Sequence, residues 1–95
     1  MNDMGKQVTQ SDMPETNIIL DPVNLGKLIK AKRTAMKMKL ADCAFLCNVG
    51  INTLSRIENG NPNSTLGATF SILKGLGIKL SYLGVSVDSS DDDWV

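Results

Sequence analysis

The chain of 95 residues suits a single domain whose core is near the lower limit of self-sufficiency, so an obligate dimer is a fair expectation. Hydrophobic residues make up 42% of it and aromatic ones only 4%, which leaves Leu, Ile, Val, Ala and Met to fill the core and favours helices over a β-sandwich. It has no His, two Cys, no apolar run near the ~20 residues of a membrane span and no apolar leader, and a formal net charge of zero. No metal, cofactor or membrane partner is expected, and the composition reads as cytoplasmic.

Residues 1–17 are polar and without period, and read as a disordered arm. "NIIL" at 17–20 has the β-branched pattern of a short strand and leads into a folded domain over 18–87. Asp21-Pro22 starts a helix, because Asp accepts from free first-turn N–H groups and Pro suits the first helical position. Val23, Leu25, Leu28, Ile29, Lys32 and Met36 give the stripe of a helix over 22–35, and the apolar phase slips at "AMKMK". Leu40, Cys43, Ala44 and Cys47 stand at i, i+3, i+4 and i+7 and predict a second helix over 40–47, with Phe45 and Leu46 widening its buried face. Cys43 and Cys47 share one face of that helix and read as reduced core thiols, the alternative being a redox pair.

"NVG" at 48–50 is a tight turn, with Asn48 suited to a left-handed position and Gly50 able to open the next helix. A third helix fits 51–58, with Leu54 and Ile57 inward and Asn52, Thr53, Ser55 and Arg56 outward. "NGNPN" ends it, Ser64 or Thr65 caps a fourth helix over 65–76 striped by Leu66, Phe70, Leu73 and Leu76, and Gly77 stops that one. Ile78, Leu80 and Tyr82 then alternate with Lys79 and Ser81, a strand pattern. Residues 88–95 are an acidic flexible tail holding the only Trp, Trp94.

The zero net charge hides a segregation. Residues 22–87 hold nine Lys or Arg against Asp42 and Glu58, a net of +7, while residues 1–21 carry −3 and residues 88–95 carry −4. Charge acts over a Debye length of ~8 Å, so the basic middle counts more than the sum. By itself it fits a polyanion-binding surface and a solvated lysine-rich face equally well.

The order of helix, three-residue turn and short helix, followed by "TLSRIENG", an Asn/Pro loop and an apolar helix, resembles the XRE/Cro-type (phage-repressor-like) helix-turn-helix family over residues 22–77. Within it, the short chain, the terminal strand, the loop "NPNSTLGATFSILKGL" and the acidic tail with its Trp are most similar to HipB-type antitoxins. The resemblance implies an all-α bundle of four to five short helices, with a C-terminal β-strand pairing across a dimer. It also implies that 51–58 is a recognition helix lying in the major groove of DNA. Ile51, Asn52, Thr53, Ser55 and Arg56 are then the base readers: Asn pairs with adenine, Arg with guanine or phosphate, and the Thr53 methyl meets a thymine methyl, while Ile51, apolar where the family often has a polar reader, either meets a thymine methyl or blunts specificity. Lys37, Lys39, Asn61, Asn63 and Ser64 are the expected phosphate contacts, helped by Arg56 and by free N–H groups at helix starts. Arg33 and Glu58 occupy positions that form a structural ion pair in the family. The chain departs from the pattern where Lys39 and Leu40 stand in place of a Thr or Ser followed by a phosphate-clamping Gln. Lys39 there offers a point charge with less orientation.

One recognition helix reads only a few base pairs, so two half-sites about one turn apart (~34 Å) and a palindromic double-stranded operator are expected. A lone strand leaves its ladder groups unpaired. Pairing with its twin in a homodimer satisfies them and buries Ile78, Leu80 and Tyr82; the alternative is pairing with "NIIL" of the same chain. Trp94 on its acidic leash suits a partner's pocket or its own core, and the resemblance implies a HipA-type serine/threonine kinase toxin as that partner. Three functions follow: a repressor and antitoxin that autoregulates its operon, a free-standing repressor with no toxin, or a protein-interaction module that has lost DNA binding. An enzyme is not expected, for want of His, a nucleotide loop or paired carboxylates in the folded region.

Overall fold

The computed structural model describes residues 8–14 and 18–84. Their regular structure is four helices, α1 (Pro22–Ala35), α2 (Leu40–Leu46), α3 (Ile51–Glu58) and α4 (Leu66–Leu76). α3 is the hub and packs against all three others, while α1 and α2 also pack on α4.

The starts of the helices differ. Asp21 caps α1 by accepting from the Asn24 N–H at 2.8 Å, with Pro22 in the first turn, and Thr65 caps α4 by accepting from the Ala68 N–H at 3.1 Å. α2 and α3 begin at Lys39 and Gly50 with no side-chain cap.

The ends are alike. Lys37, Asn48, Gly60 and Gly77 all take left-handed backbone conformations, with φ of 59°, 60°, 81° and 72°. After each, the next N–H turns back to the helix: Met38 to Arg33 O at 3.2 Å, Val49 to Ala44 O at 3.0 Å, Asn61 to Arg56 O at 3.0 Å and Ile78 to Leu73 O at 2.8 Å. Each left-handed residue also donates three positions back, to Thr34, Phe45, Ile57 and Lys74. This paired arrangement is the Schellman stop, which satisfies carbonyls that a helix end leaves orphaned. Met38, Val49 and Ile78 then fold their side chains onto the core.

That stop helps to explain why "IKLSYLG", the described part of the expected strand, is not one. The Ile78 N–H is committed to α4 and its side chain to the core. Residues 78–84 have no regular structure, and Leu80 and Tyr82 are exposed. Among the described residues, none forms a ladder with this segment. Ile18, Ile19 and Leu20 likewise are not in a strand; Asn17 lies outside the described residues, as do 1–7 and 85–95 with the acidic tail and Trp94.

The core is Ile29, Cys43, Ala44, Cys47, Leu54, Ile57, Ile72, Leu73 and Leu76. The expected stripes of α1 and α4 shift in phase, while that of α2, Leu40, Cys43, Ala44 and Cys47, keeps its phase but is narrower than expected. Val23 and Met36 of the first helix are exposed, while Gly26, Ile29, Ala31, Arg33 and Thr34 are buried. Phe45 and Leu46 do not widen the buried face of α2: they are 89% and 52% exposed, because only the Cys43, Ala44, Cys47 edge of this two-turn helix meets α3 and α4. On α4, Leu66 and Phe70 are exposed, and the inward line runs through Ala68, Ile72 and Leu76 with Leu73 beside it. Cys43 and Cys47 are free, buried thiols. Among the described residues, no helix is long and apolar enough to cross a membrane.

Candidate nucleic-acid interface

α3 divides sharply by face. Leu54, Ile57 and Glu58 are buried. Asn52 and Arg56 are exposed, Thr53 and Ser55 are half-buried, and Ile51 at the N-terminal end is 45% exposed. The outward side is therefore short and polar toward its start, with one guanidinium a turn later.

Its orientation is held by a polar lock. The Arg33 guanidinium donates from Nε to Glu58 Oε2 at 2.6 Å and from Nη2 to Glu58 Oε1 at 3.0 Å. Both side chains are nearly removed from water, at 10% and 5% exposure. Nη1 donates to the Met38 carbonyl at 2.9 Å. One side chain thus ties α1, the loop entering α2 and the end of α3. A two-pronged contact of this kind fixes angle as well as distance. No buried side-chain nitrogen or oxygen among the described residues lacks a partner.

The remaining sequence-predicted residues surround α3. Lys37 is exposed in the loop that ends α1, and Lys39 is exposed at the start of α2. The loop after α3 folds back on it: Asn61 donates its N–H to Arg56 O, accepts at Oδ1 from the Asn63 N–H at 2.7 Å, and accepts at its carbonyl from Ser64 Oγ at 3.4 Å. Asn63 is exposed, whereas Asn61 and Ser64 are half-buried. Asn61 and Ser64 thus shape this loop as much as they offer contacts. Ile78, Leu80 and Tyr82 lie on the segment after α4, away from this group in the chain, and are not gathered into it.

The uncapped helix starts belong to the same picture. The first N–H groups of a helix carry the positive end of its dipole and suit anions. The first turns of α1 and α4 have side-chain caps, and those of α2 and α3, the two helices flanking the 47–50 turn, do not, although Asp42 lies in the first turn of α2. Sequence reasoning missed two contributors: the Met38 carbonyl as the third partner of Arg33, and Lys30, which lines a cleft together with Lys39. Lys30 carried a signal, since it stands four residues before Thr34 on one face of α1. The Met38 contact carried none.

Two short helices across a tight turn, the second presenting a polar face and locked from behind, define a helix-turn-helix domain, a DNA-binding class. A model of the helix-turn-helix family matches residues 29–83, and the chain belongs to that family. No curated protein matches the chain. Among solved structures, it is similar to a HipB variant in a complex with an O2 20mer, at 25% identity over 76% of this chain and 100% of that one, with a TM-score of 0.67. It is also similar to a HipA-HipB-O2-O3 complex, at 26% identity over 75% of this chain and 100% of that one, with a TM-score of 0.66. A HipB-O4 20mer complex shares the fold, with a TM-score of 0.67 at 24% identity over 75% of this chain and 100% of that one. The fold is a helix-turn-helix like that of HipB.

Proposed function

We propose that the chain is a dimeric, sequence-specific repressor that acts as antitoxin to a HipA-type serine/threonine kinase toxin and autoregulates their operon. The observation that carries the DNA-binding part is the divided face of α3. Asn52 and Arg56 make no contact that α3 needs for packing, while Glu58, on the same helix, is fully engaged behind it. Ile51, Asn52, Thr53, Ser55 and Arg56 read bases in the major groove; Lys37, Lys39, Asn63 and the uncapped starts of α2 and α3 hold phosphates, with lesser contributions from Asn61 and Ser64.

The dimer is supported by what the single chain leaves uncovered. Leu80, Tyr82 and Leu83 are 48%, 89% and 82% exposed. Pairing of two such segments across a two-fold axis would satisfy their backbone groups and bury those side chains. The toxin partner is supported by the likeness to HipB in a complex that also contains HipA. Trp94 is the anchor assigned to it.

The test is titration of the protein against its own upstream promoter and a random duplex at two salt concentrations. Promoter binding should be tighter than random binding, and both should weaken steeply with salt as phosphate counterions are released. Arg56→Ala and Asn52→Ala should each weaken promoter binding roughly tenfold or more, the discrimination one good base contact supplies, with the thermal midpoint unchanged. No promoter preference at either salt would leave a family fold without operator function. Removing residues 88–95 should spare DNA binding and abolish binding to the kinase.

A further inference from the structure

Residues 8–14 contribute no helix or strand, yet they are seated on the fold. The Ser11 N–H donates to Thr34 Oγ1 at 2.9 Å. Thr34 is 4% exposed, and its hydroxyl donates in turn to the Lys30 carbonyl at 2.8 Å. Nearer the N-terminus, Val8 and Thr9 form one wall of an open cleft of about 530 Å³, whose other wall includes Lys30, Lys39 and Leu40. From Ser11 back to Val8, the segment therefore runs along α1 toward the start of α2.

That destination is the flank of the surface assigned to DNA phosphates. Lys39 opens α2, and Lys30 shares the cleft with it. Asp12 follows the seated Ser11 and is exposed. Lys30 and Thr34 are four apart on α1 and lie on one face, so the segment seated at Thr34, with Asp12 next to the seat, lies on the side of α1 that holds Lys30. A carboxylate within a Debye length of these lysines lowers the local potential that would attract phosphate. Val8 and Thr9 also line the cleft that Lys39 lines, so a duplex reaching Lys39 from that side would meet them.

We propose that the segment 8–14 is an intramolecular competitor of DNA: seated on α1 beside Lys30 and Lys39, it obstructs a duplex approaching these exposed lysines, and a bound duplex lifts it off. The inference rests on the DNA-binding reading above and adds a regulation of the same surface. A chain that must first release the segment binds with an affinity reduced by the fraction of time it is free. The reduction is the same for every duplex, because α3 and its base readers are untouched.

The experiment uses the full chain with Ser11→Pro, which removes the Ser11 N–H that docks on Thr34 and lies outside all four helices, and separately with Asp12→Asn. Both are titrated with promoter and random duplexes at two salt concentrations, and exchange of the Ser11 amide is followed in the unsubstituted chain with and without promoter duplex. Ser11→Pro should tighten binding to both duplexes by a common factor of roughly two to ten, the range that one hydrogen bond's net contribution allows. Asp12→Asn should tighten binding less, with a gain that fades at high salt. The Ser11 amide should be protected in the free chain and exchange faster on the duplex. Unchanged affinity with Ser11→Pro, or an amide that stays protected on DNA, overturns the proposal while the DNA reading stands. Weaker binding overturns it in favour of a segment that itself contacts DNA. Absence of binding to any duplex by all three chains removes the DNA reading and the competitor together.

Discussion

The α1–α3 and α2–α4 seams are built alike and joined by opposite chemistry. Each places a glycine where a side chain would collide with the facing element. A Cβ at Gly26 would lie 2.4 Å from Ile57 O and 2.7 Å from Glu58 O, and one at Gly75 would lie 2.5 Å from Cys47 Sγ. Each seam is then tied by side chains. Between α1 and α3 it is the two-pronged Arg33–Glu58 pair. Between α2 and α4 it is Cys47, with its Sγ 3.9 Å from Cys43 Sγ and 3.7 Å from the Ile72 carbonyl. The ion pair admits one geometry. Thiols are soft, weak hydrogen-bonding groups that tolerate a range of geometries. The rigid seam sits behind α3, the helix that presents the polar face, and the adaptable one sits where α2 needs only to be packed.

Breaking the rigid seam from one side should give the largest effect. Glu58→Ala leaves the Arg33 guanidinium buried and unpaired and should cost on the order of 3–5 kcal/mol. The double change Arg33→Met with Glu58→Met should cost clearly less, since apolar replacement of both partners avoids the stranded charge. Urea midpoints of the three chains decide it: a double variant as unstable as Glu58→Ala would mean that the pair is needed for more than charge balance.

The glycines sharpen the contrast at a smaller scale. Gly26→Ala pushes a methyl against two backbone carbonyls, which cannot move without α3 moving, and overpacking of this kind typically costs about 1–3 kcal/mol or somewhat more. Gly75→Ala meets first a side-chain sulfur that can rotate, although the Cys47 Cα at 3.1 Å remains tight. The better helix propensity of Ala, about 1 kcal/mol, offsets part of either cost. Gly26→Ala should therefore be the more damaging of the two by thermal denaturation. Equal losses would show the α2–α4 seam to be as stiff as the other.

Much of this was legible in the chain, and what was missed has a common cause. The Asp21 and Thr65 caps, the left-handed Asn48 and Gly77, and the extent of α3 all rest on local chemistry, in which one or two residues determine the backbone. The inward side of α3 was readable because its polar and apolar residues separate cleanly. The phases of α1 and α4 and the width of the α2 stripe were not, because each helix has apolar residues on more than one face: Val23 with Ile29, Phe45 with Cys43, Phe70 with Ile72. In such helices the buried side is chosen by the neighbours. Gly26 and Gly75 allow close approach, and the contacts they permit select the phase. The segment after α4 misled for a related reason. Its alternation is genuine, but a Schellman stop takes Ile78 before any ladder can begin.

The smallest effect probes the soft seam through pH. Burial, then the neighbouring Cys47, then Glu58 push the Cys43 thiol up from its ordinary value of 9.0 to about 12, against an opposing pull from Arg33. The folded chain therefore keeps a proton there that the unfolded chain releases above pH 9, and stability falls as pH rises between those two values. The slope is at most about 1.4 kcal/mol per pH unit for one proton. Below pH 9 both states hold the proton and the contribution is level. Measured by urea unfolding at pH 8 and pH 10, the unsubstituted chain should lose about 1 kcal/mol more than Cys43→Ala over that interval. All other side chains are common to both chains, so the difference between them isolates the Cys43 thiol. An identical loss in Cys43→Ala would mean that the thiolate finds water without unfolding, and that the α2–α4 seam opens locally while the Arg33–Glu58 seam holds.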